Sequence, residues 1–181
     1  MTSLIFATTN QDKINEATSI LNIDIQPLGL EIPEIQSLEP DQVAIQKAKD
    51  YFAQIKKPLF IEDVSLVFHS LKKLPGPYIS DFSKSLGNDG LIDLLKEKED
   101  RSATAQTTIV YINSDETITV FKGIVEGSIS LTISGDNGFG WDPIFIPKGS
   151  DKTFAQMNLE EKNKYSMRRI ALEQFANYLK G

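Results

Sequence analysis

Leu59 to Phe68 reads LFIEDVSLVF, and the fold turns on this stretch. Leu59, Phe60 and Ile61 form a short apolar run that two adjacent carboxylates, Glu62 and Asp63, bring to an end. Pro58 precedes the run and can stand at the first residue of a strand. An apolar strand ending in acids is how open α/β sheets deliver chemistry to the crevice at their strand ends. Adjacent strand residues face opposite ways, so Glu62 and Asp63 are not expected to share a pocket. One is placed to bind a cation or a water, the other to support backbone or a positive side chain. A solvated acidic strand end is the alternative reading.

Upstream, Ser3 to Thr8 reads as a strand whose Leu4, Ile5, Phe6 and Ala7 are near-continuously apolar, as in a sheet covered on both faces. Thr8, Thr9 and Asn10 make a polar turn. A helix follows from about Gln11 to Leu21, with Ile14, Ala17, Ile20 and Leu21 on one stripe and Asn10 or Thr9 as its cap. First-turn amides, the two hydroxyls and Lys13 can together receive phosphate; the same residues also read as an ordinary strand–turn–helix. The glycines of a Rossmann or Walker loop are missing. Leu28 to Ile35 has room for a further short strand closed by turn residues. At Glu39 to Gln42, EPDQ looks like a helix entrance with Pro40 in the first turn. Val43, Ala44, Ala48, Tyr51, Phe52 and Ile55 carry its apolar face to the Lys56–Pro58 break. Strand and helix thus alternate, which is α/β order.

Downstream, Pro75, Gly76 and Pro77 predict a rigid irregular turn, and Phe82 to Lys98 a helix that Gly87 and Gly90 can split. From Ala103 the period changes to two. Ala103 to Tyr111, Glu116 to Val125 and Gly127 to Ser134 predict two or three antiparallel strands, with turns at Asn113–Asp115 and around Gly123–Gly127. Gly135 to Gly149, GDNGFGWDPIFIPKG, mixes glycines, prolines and large aromatics. Phe139 and Trp141 can stack on a planar ring, and Asp142 can accept hydrogen bonds from ring nitrogens. A packed turn followed by a strand at Ile144–Ile146 is the alternative. Beyond Thr153–Met157, a long helix is expected to about Leu179. Lys162, Lys164, Arg168 and Arg169 make its early part basic, which opposes the helix dipole unless an anion sits there.

The 181 residues suffice for one substantial core, and 40 % hydrophobic with 24 % charged residues is ordinary for a folded domain. A formal charge of -6 argues against nonspecific duplex binding, so no nucleic-acid partner is expected. With no cysteine and His69 as the only imidazole, disulfides, thiolate metal sites and a multi-histidine zinc site are excluded. A metal would be held by oxygen, favouring Mg²⁺, Mn²⁺ or Ca²⁺. No stretch is apolar enough to predict a membrane span, and the start MTSLIFATTN does not read as a signal peptide.

In order along the chain, these motifs resemble the inosine triphosphate pyrophosphatase family, also called Ham1-like. Thr8, Asn10, Lys13 and Glu16 match T/S-x-N-x-x-K-x-x-E. Glu62-Asp63, the loop Leu74 to Tyr78, FGWDP at Phe139 to Pro143 with Gly140 and Trp141, and F-x-P at Phe145 to Pro147 follow. Thr153 to Met157 and Glu161 to Arg168 match the last two motifs. The resemblance implies an elongated two-lobed α/β fold, a mixed sheet with flanking helices and a central cleft. It gives one domain over 1–181, with one lobe from about 1–75 and 135–181 and a second from about 76–134. It further implies Mg²⁺-dependent hydrolysis of ITP, dITP and XTP to monophosphate and pyrophosphate, with Mn²⁺ as a substitute metal, in a cytoplasmic homodimer with no membrane partner.

Carried over by residue, the resemblance assigns Thr8, Thr9, Asn10, Lys13 and Lys47 to the substrate, with Lys162 joining Lys13 on the phosphates. Asp63 becomes the chief acid, with Glu62, Gln42 and Glu39 as further metal candidates. Phe139, Gly140, Trp141 and Asp142 become the base pocket, flanked by Met167 and Arg168. Two departures stand out. Gln42 occupies a position where the family commonly has a metal-binding glutamate. Met167 replaces the histidine of S-H-R, and a thioether does not donate a strong hydrogen bond to a purine oxygen. An altered base preference, or nucleotide binding without turnover, are the alternatives these departures raise.

Overall fold

The computed structural model describes residues 3–181; the reading of Met1 and Thr2 within the amino-terminal stretch lies outside them. Seven strands form one mixed sheet in the order β2-β1-β3-β5-β6-β7, with β4 paired to β3. In chain order these are β1 (Leu4–Phe6), β2 (Ile25–Pro27), β3 (Leu59–Phe68), β4 (Pro75–Gly76), β5 (Ser102–Ile112), β6 (Ile118–Ile129) and β7 (Phe145–Pro147). The helices are α1 (Gln11–Leu21), α2 (Pro40–Ile55), α3 (Ile79–Asp93), α4 (Leu159–Asn163) and α5 (Met167–Leu179). Among the described residues no helix is long and apolar enough to cross a membrane. Internal packing divides the described residues into two units, the first made of 3–63, 107–123 and 168–181, the second of 64–106 and 124–167.

In the first unit β1 runs parallel to β2 and to β3, with Ile5 opposite Leu59 and Phe6 opposite Phe60. Alternation along these strands sorts the core into two clusters. Ile5, Ala7, Leu59 and Ile61 pack with Ala44, Ala48, Tyr51 and Phe52 of α2. Phe6 and Phe60, their rings stacked at 4.2 Å, pack with Ala17 and Leu21 of α1 and with Leu172 and Phe175 of α5. One face of β3 therefore meets α2, and the other meets α1 and α5. This assignment decides what surrounds the two acids.

Both α1 and α2 occupy the spans their caps and stripes predict. Asn10 accepts the Lys13 amide as N-cap, and α1 ends at Asn22 with φ 51°. Helix α2 starts at Pro40 after Glu39 and closes at Lys56 with φ 54°. The short strand expected within Leu28–Ile35 lies earlier, at Ile25–Pro27, where it pairs with Leu4–Phe6.

Strand β3 does not end at its acids. It continues to Phe68 because Leu66 and Phe68 are buried in the second unit's core and β4 pairs beside them. The turn expected at Pro75–Pro77 thus carries two residues of antiparallel strand. In that unit, Leu66, Phe68, Leu91, Trp141, Phe145, Phe154 and Met167 share one cluster. Helix α3 begins earlier than expected, at Ile79, and ends at Asp93. It is interrupted at Gly87, whose φ of 67° leaves the helical region.

The expected break around Gly123–Gly127 is absent; β6 runs unbroken to Ile129 and pairs antiparallel with β7. Gly127 is required there by close strand approach, since a Cβ would lie 2.4 Å from the Ile146 carbonyl oxygen. Ile144 belongs to a short 3₁₀ turn, so β7 starts at Phe145. The single long carboxy-terminal helix is two helices, because Asn158 and Glu161 close a capping box around the short α4.

Candidate active site

The parity of β3 places Glu62 on the α1/α5 face and Asp63 on the α2 face. Glu62 is completely enclosed and fully engaged. Arg168, at the start of α5, donates from Nε to Glu62 Oε2 at 2.9 Å and from Nη2 to Oε1 at 3.0 Å. Its Nη1 donates to Glu16 Oε2 of α1 at 2.8 Å. Lys13 approaches Glu62 Oε1 at 3.3 Å and donates to the Glu62 carbonyl oxygen at 3.4 Å. Burial pushes the Glu62 carboxyl up, but the Arg168 and Lys13 charges and their hydrogen bonds outweigh it and hold it below the usual carboxylate range. Burial opposes the Arg168 charge in turn, and Glu62 and Glu16 more than restore it, so its pKa is raised. Of the basic residues expected at the start of the last helix, Arg168 meets these carboxylates, whereas Arg169 meets Glu173 and Lys162 meets Asp142.

Asp63 meets Lys47 of α2 at 3.9 Å, beyond hydrogen-bond distance. Lys47 is hydrogen-bonded to Glu34 instead. Burial raises the Asp63 pKa; Lys47 and Lys13 oppose the rise, while Glu34 and Glu62 add to it, and the net value is about 6. Burial lowers the Lys47 pKa, but the Asp63 charge and the Glu34 hydrogen bond and charge outweigh it and leave it raised. A partly buried carboxylate whose pKa is raised in this way is undercompensated by positive charge. It is poised to accept a cation or a proton.

Glu34 carries no sequence motif. It lies in the irregular segment before α2, and only the tertiary fold brings it to Lys47 and into the field of Asp63. Its position before an N-terminal helix, thirteen residues from a lysine, carries no local signal of this. The metal candidates Gln42 and Glu39 are placed differently. Gln42 Oε1 accepts from Ser37 Oγ at 3.1 Å, and Glu39 stands as the N-cap residue of α2.

At the β1–α1 turn, the Asn10 amide donates to Thr8 Oγ1 at 3.2 Å while the Asn10 side chain caps the helix. Thr9 packs over Gly29, where a Cβ would lie 2.2 Å from the Thr9 methyl. Thr8, Thr9, Asn10 and Lys13 thus stand at the positively polarised end of an eleven-residue helix.

The second unit holds the aromatic loop. Lys162 donates to Asp142 Oδ2 at 2.7 Å, and the Phe139 amide donates to the same oxygen at 2.9 Å. Lys162 also lies over the Phe139 ring at 5.3 Å and the Phe154 ring at 5.5 Å. Gly138 is required at φ 74°, because a Cβ would fall 2.0 Å from Asp142 Oδ2. Gly140, at φ 62°, accepts from Asn88 Nδ2 at 3.0 Å. Trp141 is packed edge-on against Phe145 and Met167 is in the core, so Phe139 is the more open aromatic ring of the loop. The structure therefore joins Asp142, Lys162 and Phe139, joins Glu62, Lys13 and Arg168, and joins Asp63 with Lys47. His69 stands apart, with Thr104 Oγ1 at 2.7 Å and Ser102 Oγ at 2.8 Å from its ring nitrogens.

The Ham1 family model matches residues 4–178, and the chain belongs to this family. It is 38 % identical over 180 residues to a dITP/XTP pyrophosphatase of Thermococcus kodakarensis, covering 98 % of this chain and 97 % of that one. It is 41 % identical over 181 residues to an inosine triphosphate pyrophosphatase of Yarrowia lipolytica, covering 98 % and 95 %. The Staphylococcus aureus Ham1 protein superposes with a TM-score of 0.86 at 30 % identity, covering 99 % of each chain.

Proposed function

We propose that this chain is a nucleoside triphosphate pyrophosphatase acting on deaminated purine nucleotides. Water attacks the α-phosphorus of dITP, XTP or ITP, the α–β anhydride bond breaks, and the monophosphate, pyrophosphate and a proton are released. The observation that carries the reading is Asp63, a partly buried carboxylate raised to about 6 beside Lys47 in a chain 38 % identical to a dITP/XTP pyrophosphatase. Lys13 and the α1 amino-terminus serve the phosphates, and Asp63 orients the attacking water. In the second unit, taken by itself, Phe139 is the more open aromatic ring of its loop, and Asp142 fixes the loop and Lys162.

A divalent ion fits the residues of the first unit. Among the described residues no three His, Cys, Asp or Glu side chains form a preformed metal cage. Mg²⁺ characteristically needs only one or two carboxylates and completes its shell with substrate phosphates and water. Asp63 and Glu34, both against Lys47, are the pair that would hold it. Glu62, with both oxygens on Arg168, is not. When bound, the ion would neutralise phosphoryl oxygens and favour ionised Asp63. Mn²⁺ meets the same oxygen donors. We further take the enzyme to be a cytoplasmic homodimer, a reading supported by the family resemblance and open to light scattering of the purified protein.

A second reading concerns the base. Met167 is 5 % exposed within an apolar cluster and offers no hydrogen-bond donor, so recognition of the purine 6-oxygen is weaker than with the family's histidine. Pyrophosphate release with Mg²⁺ from ITP, XTP, dITP, GTP, ATP, UTP and CTP tests both readings. A preference of about tenfold for ITP and XTP supports the first, and equal or better turnover of another base the second. Tight binding without turnover, in Mg²⁺ and in Mn²⁺, contradicts an enzyme.

A further inference from the structure

Arg168 and Lys13 share one acceptor, Glu62, on very unequal terms. Arg168 makes three contacts of 2.8 to 3.0 Å to Glu62 and Glu16, and its side chain is 4 % exposed. Lys13 makes two long contacts, 3.3 and 3.4 Å, both to Glu62, and its side chain is 18 % exposed. A guanidinium matches a carboxylate with a rigid two-pronged fork, whereas an ammonium is a point charge on a flexible stem. A fully enclosed carboxylate must keep a cation, and the fork meets that need without Lys13.

We propose that Arg168 is a positioning residue. By occupying Glu62, it leaves Lys13 as the exchangeable cation of the cluster, free to turn to a phosphate group. The inference rests on the proposed function for the identity of that phosphate but concerns no contact between Arg168 and the base. Without Arg168, Glu62 has Lys13 as its remaining neighbouring cation, and moving Lys13 to a phosphate strands a buried negative charge. Removing the charge of Glu62 as well releases Lys13 again.

Inorganic tripolyphosphate, which has no base, separates this role from base recognition. Its affinity is measured by calorimetry for the wild type, Arg168→Gln, Arg168→Lys and the double variant Arg168→Gln/Glu62→Gln, alongside kcat and KM for dITP. Near-UV circular dichroism checks each fold. Arg168→Gln is expected to bind tripolyphosphate about tenfold more weakly, and the double variant to recover to within about threefold of wild type. Arg168→Lys falls in between. If Arg168→Gln does not fold, the double variant and Arg168→Lys decide. A folded double variant that binds no better than about a tenth as tightly as wild type overturns the proposal. So does an unchanged tripolyphosphate affinity in Arg168→Gln with a raised KM for dITP, which would put Arg168 on the base. A wild type that does not bind tripolyphosphate overturns it too, and its dITP turnover then shows whether the functional reading stands alone.

Discussion

Glu62 and Asp63 are neighbours in sequence, on one strand and in one unit, yet their two sides of the sheet treat them oppositely. Glu62 is enclosed by Arg168 and Lys13 and is held ionised below its ordinary range. Asp63 has Lys47 at 3.9 Å, shared with Glu34, and the more distant Lys13, and is pushed up to about 6. Burial acts on both in the same direction, so the difference comes from the number and distance of the cations opposite each. A saturated buried carboxylate organises structure, and an undersaturated one is available for chemistry. Strand parity decides which is which, because it assigns one residue to the helices carrying Arg168 and Lys13 and the other to the helix carrying Lys47.

Substituting each acid by its amide divides the two roles most sharply. Asp63→Asn is expected to lower pyrophosphate release from dITP by roughly 10³-fold while its circular dichroism stays that of the wild type. Near-normal turnover would break the contrast by removing Asp63 from the chemistry. Glu62→Gln should act first on stability. It takes the carboxylate charge from the two-pronged contact and leaves Glu16 as the carboxylate opposite the enclosed Arg168, at a cost of about 3–5 kcal/mol in urea unfolding. A loss below about 1 kcal/mol would mean that the cluster is no more than a surface ion pair.

The pH dependence of stability sharpens the comparison, since the two acids differ in sign. The folded-state pKa of Asp63 lies above its unfolded value, so its contribution is complete below about 4 and is lost as pH rises through about 6. That of Glu62 lies below its unfolded value, so its contribution is present above about 4.3 and is lost as pH falls through the lower folded value. In metal-free urea titrations, Asp63→Asn should therefore gain on the wild type between pH 4 and 7, on the order of 2–3 kcal/mol. A pH-independent difference would contradict the undercompensated carboxylate. In the second unit, Asp142 Oδ2 accepts from Lys162 and from the Phe139 amide, and Gly138→Ala tests its loop. The added methyl meets Asp142 at a left-handed backbone position, and a loss of about 1–3 kcal/mol is expected.

Much of this was legible in the chain. The stripe and Asn10 cap define α1, Pro40 and the Lys56–Pro58 break define α2, and alternation alone separates Glu62 from Asp63. The extent of β3 was not, because its acids look like an ending until Leu66 and Phe68 find a core and β4 pairs beside them. Gly123 and Gly127 read as turn residues, yet they lie inside β6, where Gly127 answers close approach of β7. Arg168 and Glu62 are 106 residues apart, and no local pattern pairs them. Glu34 shows the same limit, since only tertiary packing brings it to Lys47.

The most direct test is ³¹P NMR of dITP incubated with the protein and Mg²⁺. Appearance of dIMP and pyrophosphate together, in equal amounts from the first turnover, is expected. Accumulation of dIDP with inorganic phosphate, or an unchanged dITP spectrum, would contradict it.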